Sequence, residues 1–363
     1  MSRVLFPTHD SQPFIAELRQ RVAEYFESRH LSSKANAAMV AKTAILFGVT
    51  FGAYALILSG WFAPLPMLGL AMLMGAGIAG IGFSVAHDAL HEAYSGSRTV
   101  NRLLGWSFDL VGASSYLWRI LHNIVHHTYT NVHGVDEDLE VSVLLRLSPH
   151  TRRRAMHRFQ HWYGFLAYSL STLNWVFLKD YQYLMRRDLG PFQRRTHSAR
   201  DLGIMLAWKL FYYTWSIVIP LLVLDIAWWQ FLIGYVAMHL TAGAILGIVF
   251  QLAHVVEDTE HPLAGPDGQM ESAWAVHQMR TTSNFARGNR WLSWYVGGLN
   301  HQIEHHLFPK ICSVHYPAIS GIVREVALRH GVPYNEHPTL RAAIRSHREM
   351  LRQLGRAPEA AAA

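Results

Sequence analysis

One cysteine, Cys312, in 363 residues leaves no second thiol for an intrachain disulfide and no thiolate set for a zinc cluster. Charge is scarce too: Asp, Glu, Lys and Arg make up 16% of the chain, against roughly 25% in soluble domains. The net charge is +7, but no nucleic-acid recognition motif accompanies it, which argues against nucleic acid as a partner. The opening residues, MSRVLFPTHDSQPF, contain no continuous apolar stretch, so no cleaved leader is expected. Lys and Arg are also missing from two short stretches, 63–64 and 225–230.

What the chain does contain is long apolar runs, at 44–62, 65–83, 202–224 and 231–252. Each is about the length that crosses a ~30 Å hydrocarbon layer as a helix. The runs predict an all-α integral membrane protein with four transmembrane helices and a helical cytosolic cap. A cytosolic N-terminal segment (1–43) would precede a membrane domain (44–335), followed by a C-terminal helix and disordered tail (336–363). Within the first segment, Phe14, Ile15, Leu18, Val22, Tyr25 and Phe26 form one helical stripe over 11–30, with Ser11 as N-cap. The second run is rich in small residues, which suits close helix packing. Lys209, alone inside the third run, is expected to snorkel to the nearer interface. Trp228 and Trp229 stand where an aromatic belt would. Two aromatic segments, 103–118 and 162–177, are too interrupted for clean spans and read as interfacial or re-entrant pieces.

Basic residues orient the molecule. Residues 1–43 carry 6 Lys and Arg, 84–201 carry 14 and the part after 252 carries 11. The two short connections on the other side carry none, so the positive-inside rule places both termini and the middle segment in the cytoplasm.

Histidine is the anomaly, at 23 residues. His87 and His91 (HDALH) sit just beyond the second run. His122, His126 and His127 (HNIVHH) share their i, i+4, i+5 spacing with His301, His305 and His306 (NHQIEHHLFP), and His254 follows the fourth run. All of these would meet on one face of the bilayer. On a regular helix, imidazoles four apart share a face and suit one ion. The residue at i+5 points about 100° further round, toward a second ion. Imidazole ligands with few carboxylates suit iron, copper, nickel or zinc. His239, alone inside a span, is expected to be a hydrogen-bonded core residue, with substrate contact as the lesser alternative. The histidines at 9, 30, 133, 150, 157, 161, 197 and 330 are unclustered and read as structural or exposed.

HDALH, HNIVHHTYTN and NHQIEHHLFP resemble the three histidine boxes of the membrane fatty acid desaturases. The branch is the one whose third box begins with Gln, which includes front-end and linoleoyl-CoA-type enzymes. The resemblance runs over about 40–335. It implies a non-haem di-iron centre held by His87, His91, His122, His126, His127, His305 and His306. His254 looks like the extra ligand that the family places after its last span. Gln302 stands where many relatives have the first histidine of the third box, and His301 is one position early, so the two remain alternatives. Asp88, Asn123 and Glu304 are candidates to receive the ligands' other ring N–H. Many front-end relatives carry a fused haem-binding domain with an HPGG signature that this chain lacks. Electrons are therefore expected from a ferredoxin or a small haem protein with its reductase. Cytosolic arginines suit an acidic donor or a coenzyme A phosphate.

The activity implied is O₂-dependent desaturation of a fatty acyl-CoA or acyl-lipid, giving a cis double bond. A related di-iron hydroxylase is the nearer alternative. A haem-binding electron carrier or metal transporter is a distant one, since the histidine clusters lie outside the apolar runs.

Overall fold

The computed structural model describes residues 4–7, 12–138, 143–186, 188 and 197–356. The proposed N-cap Ser11, His9, Glu140 and the tail from 357 lie outside them. Among the described residues, four helices are long and apolar enough to cross a membrane: Ala37–Leu58, Pro64–Leu90, Ala199–Val223 and Trp228–His254.

At the histidine-bearing end of the bundle these helices outrun the apolar stretches that signal them. The first begins at Ala37 because Asn36 caps it, accepting from the Met39 N–H at 3.0 Å. Lys42 stands just before the apolar run yet inside the helix, where its ammonium donates to the Trp294 carbonyl at 3.1 Å. The second span, 27 residues, is about 40 Å long. It continues past Phe83 through a π-helical turn, Ile81–Ala86, so that His87 and Asp88 belong to the span itself. The fourth likewise ends on His254. Hydropathy marks only the stretch that faces lipid, whereas helical hydrogen bonding continues into the protein interior.

Small residues set the spacing between helices. A Cβ on Gly75 would lie 2.3 Å from the Met238 carbonyl oxygen, which brings the second and fourth spans together backbone to backbone. The stretch over 160–185 packs beside the middle of the fourth span in the same way. There a Cβ on Gly243 would stand 2.2 Å from the Ser169 carbonyl oxygen, and Thr172 donates to the His239 carbonyl at 2.8 Å. Gly243→Ala is expected to push the two helices apart, at a cost of about 1–3 kcal/mol. A lowered thermal midpoint in detergent would register it; an unchanged midpoint would mean that the helices have room to spare.

Lys209 does not snorkel. It is 4% exposed and turned inward, with its Nζ 2.7 Å from Asp180 Oδ2 and donating to the carbonyls of Gly112 and Val176. The aromatic segment around 103–118 breaks into short helices, Arg98–Gly105, Ser107–Leu110 and Ser115–Trp118.

A helical cap closes the histidine-bearing end of the spans. Phe14, Leu18 and Val22 of Gln12–Ser28 pack on Ile319 and Val323 of Tyr316–Arg329, and on Ile303 and Leu307 of Gln302–Leu307. The apolar stripe of the first helix is therefore spent on the body of the protein. The last helix, Leu340–Arg356, also packs inward, where His347 joins Tyr168 Oη at 3.0 Å to the Val255 carbonyl.

Candidate metal centre

Three backbone devices bring the histidines together. His87 and His91 end the second span. His122 and His126 lie on a π-helical segment, Arg119–His126, within residues 115–129. His305 and His306 sit on a short helix reached through Gly297 and Gly298, at φ +62° and +68°. A Cβ on Gly297 would stand 2.5 Å from the Phe83 carbonyl oxygen, so only glycine lets the third box approach the second span this closely.

Two groups of ring nitrogens result. One nitrogen from each of His87, His91, His122 and His305 falls within 4.8 Å of the others, and the same holds for His126, His254 and His306. His127 lies between the groups, with its Nε2 3.3 Å from His122 Nε2 and its ring centroid 4.5 Å from His305 and 4.4 Å from His306.

The spacing argument from a regular helix paired His122 with His126 and set His127 apart. The structure reverses it. A π turn closes its hydrogen bonds from i to i+5, and here the His127 N–H donates to the His122 carbonyl. His122 and His127 therefore meet across one turn, while His126 turns to the second group.

The donor set suits a metal. Among the described residues, His91 Nε2, His126 Nε2, His305 Nε2, His306 Nε2 and both nitrogens of His254 are buried without a hydrogen-bond partner. A buried polar atom left so costs about 1–3 kcal/mol, which a metal ion would offset. Burial, and then the neighbouring imidazoles, hold His91, His122, His127, His305 and His306 well below the ordinary histidine range. That keeps them neutral, the form that binds metal. His126 differs: burial pushes it down, but the Asp136 carboxylate at 2.9 Å outweighs this and raises it.

The groups behind the rings are not the ones expected. Asp88 is buried and accepts from Cys312 Sγ, Ser313 N and Ser313 Oγ, so it ties the loop after the third box to the first. Its nearest approach to His87 Nδ1 is 3.8 Å. Asn123 donates to the Leu90 carbonyl, and Glu304 accepts from Asn284 and Tyr334. The imidazoles instead rest on Asp136 (His126, 2.9 Å), Asp138 (His122, 3.5 Å), Tyr316 (His305, 3.1 Å) and Gln278 (His306, 2.8 Å). Asp136 and Asp138 lie nine and eleven residues past His127, the last histidine of the second box. A short loop returning to that box would have identified them. Asn131, at φ +60°, makes that return: its N–H donates to Asp136 and its side chain to the His254 carbonyl.

His301 precedes the third-box helix and lies outside both groups, with its Nδ1 3.9 Å from Glu304 Oε2. Burial, with Arg287 nearby, pushes it down to about 3. Gln302 is buried in the helix, three and four residues before His305 and His306, and so shares their face. His239 is also apart, bonded through Nε2 to Tyr212 Oη at 2.9 Å and through Nδ1 to Thr172 Oγ1 at 3.1 Å. His157, His197 and His330 are likewise held by Val143 O, Tyr116 Oη and Glu17.

Aromatic rings flank the first group. Trp118 stacks on His122 at 4.3 Å and meets Phe108 at 5.6 Å. Phe108, Trp175, Thr172, Leu246 and Met238 line a small pocket of about 30 Å³. Met238 also borders a larger cavity of about 320 Å³ among the spans, beside Tyr54, Met74, Phe231 and Tyr235.

Comparison with known proteins agrees with this geometry. Residues 63–338 match the family described as fatty acid desaturase. The chain is 37% identical over 348 residues to the sn-1 linoleoyl-lipid 6-desaturase of Synechocystis sp., covering 94% of this chain and 95% of that protein. It is 35% identical to a protein of the same name from Arthrospira platensis, over 95% of this chain and 94% of the relative. It is also 34% identical to the acyl-lipid (8-3)-desaturase of Physcomitrium patens, over 95% of this chain and 72% of that protein.

Proposed function

The chain belongs to the fatty acid desaturase family, and from that premise we propose that it places a cis double bond in an acyl chain esterified to a membrane lipid, at a di-iron centre held by the two histidine groups. The observation that carries this reading is the pair of buried nitrogen clusters beside an aromatic wall. The names of the relatives support an acyl-lipid over an acyl-CoA. In this reading His87, His91, His122 and His305 face one iron, and His126, His254 and His306 face the other. His127 stands between them. Gln302 is preferred to His301 as the remaining ligand, because it shares the face of His305 and His306 while His301 lies outside both nitrogen groups.

When bound, iron supplies the activation of O₂ that removal of hydrogen from unactivated methylenes requires. The protein's own part is positioning and exclusion of water. Trp118 and Phe108 present an apolar wall beside the first group, against which the acyl chain would lie with two adjacent methylenes at the histidines. Asp136 holds His126 by its Nδ1, leaving Nε2 to point into the second group. Both termini and the centre face the cytoplasm, where a ferredoxin or a small haem protein with its reductase delivers electrons.

Asp136→Asn is expected to lower iron affinity about 10–100-fold, because it removes the charge that orients a ligand. Iron titration of the apo-protein checks this, and an unchanged affinity would separate Asp136 from the centre. The function itself is tested by expression in a host that makes simple unsaturated fatty acids, with gas chromatography and mass spectrometry of total lipids. A product lacking two hydrogens, with one new double bond at a fixed position, is expected. A product that gains an oxygen would replace desaturation by hydroxylation.

A further inference from the structure

A groove of about 530 Å³ lies at the histidine end of the bundle, on the side of residues 98–110 away from the inner pocket. Its walls come from that stretch and from the first turns of the third span. Arg102 and Arg200 stand at its rim, and Trp106, Ile204, Trp208 and Phe211 line the part below. Both arginines are exposed, and neither has a carboxylate partner among the described residues. Arg102 leans instead on a neutral ring, with its guanidinium carbon 5.8 Å from the Trp106 centroid. Below the rim the aromatic rings form a continuous wall, Trp106 to Trp208 at 5.9 Å and Trp208 to Phe211 at 5.7 Å. Phe211 is 50% exposed and Ile204 38%, on a helix that spans the membrane.

We propose that this groove binds an anionic glycerophospholipid, its phosphate between Arg102 and Arg200 and one acyl chain along Trp208 and Phe211. Two arginines without carboxylate partners among the described residues call for an anion, and guanidinium suits phosphate oxygens in particular. The apolar wall continuing down a spanning helix calls for a hydrocarbon chain attached to that anion. A free phosphate would use only the rim, and a neutral headgroup would leave the arginines uncompensated. The same stretch presents Phe108 to the inner pocket, so a lipid seated against Trp106 braces one wall of that pocket. The site stands on its own residues, whether or not the histidines hold iron.

The test is a titration of the full-length protein, purified in neutral detergent, with dioleoyl phosphatidylglycerol, dioleoyl phosphatidylcholine and inorganic phosphate, counting bound lipid by native mass spectrometry. Phosphatidylglycerol should bind on the order of tenfold more tightly than phosphatidylcholine, as two basic residues near a membrane surface imply. Arg102→Gln with Arg200→Gln should remove that preference while leaving iron content unchanged, since both side chains are exposed. Phe211→Ser should weaken both lipids and keep their ratio. Absence of a preference in the wild type, its survival in the arginine variant, or equal competition by inorganic phosphate would each overturn the proposal.

Discussion

His305→Ala is expected to abolish the new double bond, lowering product formation by more than about 100-fold. Changing even a group that only supports a ligand costs 10–100-fold, and His305 stands at the meeting point of two boxes. Its ring centroid is 4.5 Å from those of both His87 and His127, and its Nε2 has no protein partner. Its Nδ1 is held by Tyr316 Oη, so the ring has little freedom to turn away. Alanine removes one donor from the first group and leaves His126, His254 and His306 untouched. Iron per chain should therefore fall toward half, as read by elemental analysis, while far-UV circular dichroism stays unchanged, because alanine is the best helix former. His301→Ala is the control. With its ring outside both groups, it should retain iron and most of the product. Full activity in the His305 variant, or iron loss in the His301 variant instead, would undo the ligand assignment.

Lys209→Met should have the largest effect on stability. A lysine that snorkelled to the interface could be replaced by methionine with little change. Here Nζ is buried against Asp180, Gly112 O and Val176 O, and removing it strands a carboxylate that is itself 1% exposed. Breaking a buried pair from one side costs about 3–5 kcal/mol, which for a chain of this length corresponds to a drop in thermal midpoint of roughly 5 °C. Neutralising the other partner as well should recover most of the loss, since Lys209→Met with Asp180→Asn leaves no buried charge. A midpoint for the single variant within a degree of wild type would mean that the ammonium reaches water. The pair matters for function because Val176 lines the inner pocket, and Gly112 adjoins Val111 and Ala113 in the same lining.

How much of this was legible beforehand differs from residue to residue. The spans were visible because a bilayer demands long apolar runs, and each run overlaps one of the helices observed. Their ends were not, because Lys42, His87 and His254 are polar yet stay in helices that leave lipid for protein. The use of the second box could not be read from its spacing. HNIVHH fits a regular helix as well as a π turn, and the extra residue per turn decides which two imidazoles meet. The supporting carboxylates were missed for a related reason. Asp88 and Glu304 are neighbours of ligands in sequence but spend their hydrogen bonds on Ser313 and on Asn284 and Tyr334, whereas Asp136 reaches His126 through a loop that turns at Asn131.

Sequence alone determined the class of the protein, its four spans and the set of histidines from which a centre can be built. Those follow from composition and from short motifs whose chemistry does not depend on distant parts of the chain. Tertiary structure alone decided which histidines face the same point, that Lys209 looks inward, and that His301 lies outside the groups. Each of these depends on the rotation of one helix against another. Hydrophobic patterning constrains that rotation only where one face meets lipid, and here both faces of the critical segments are buried.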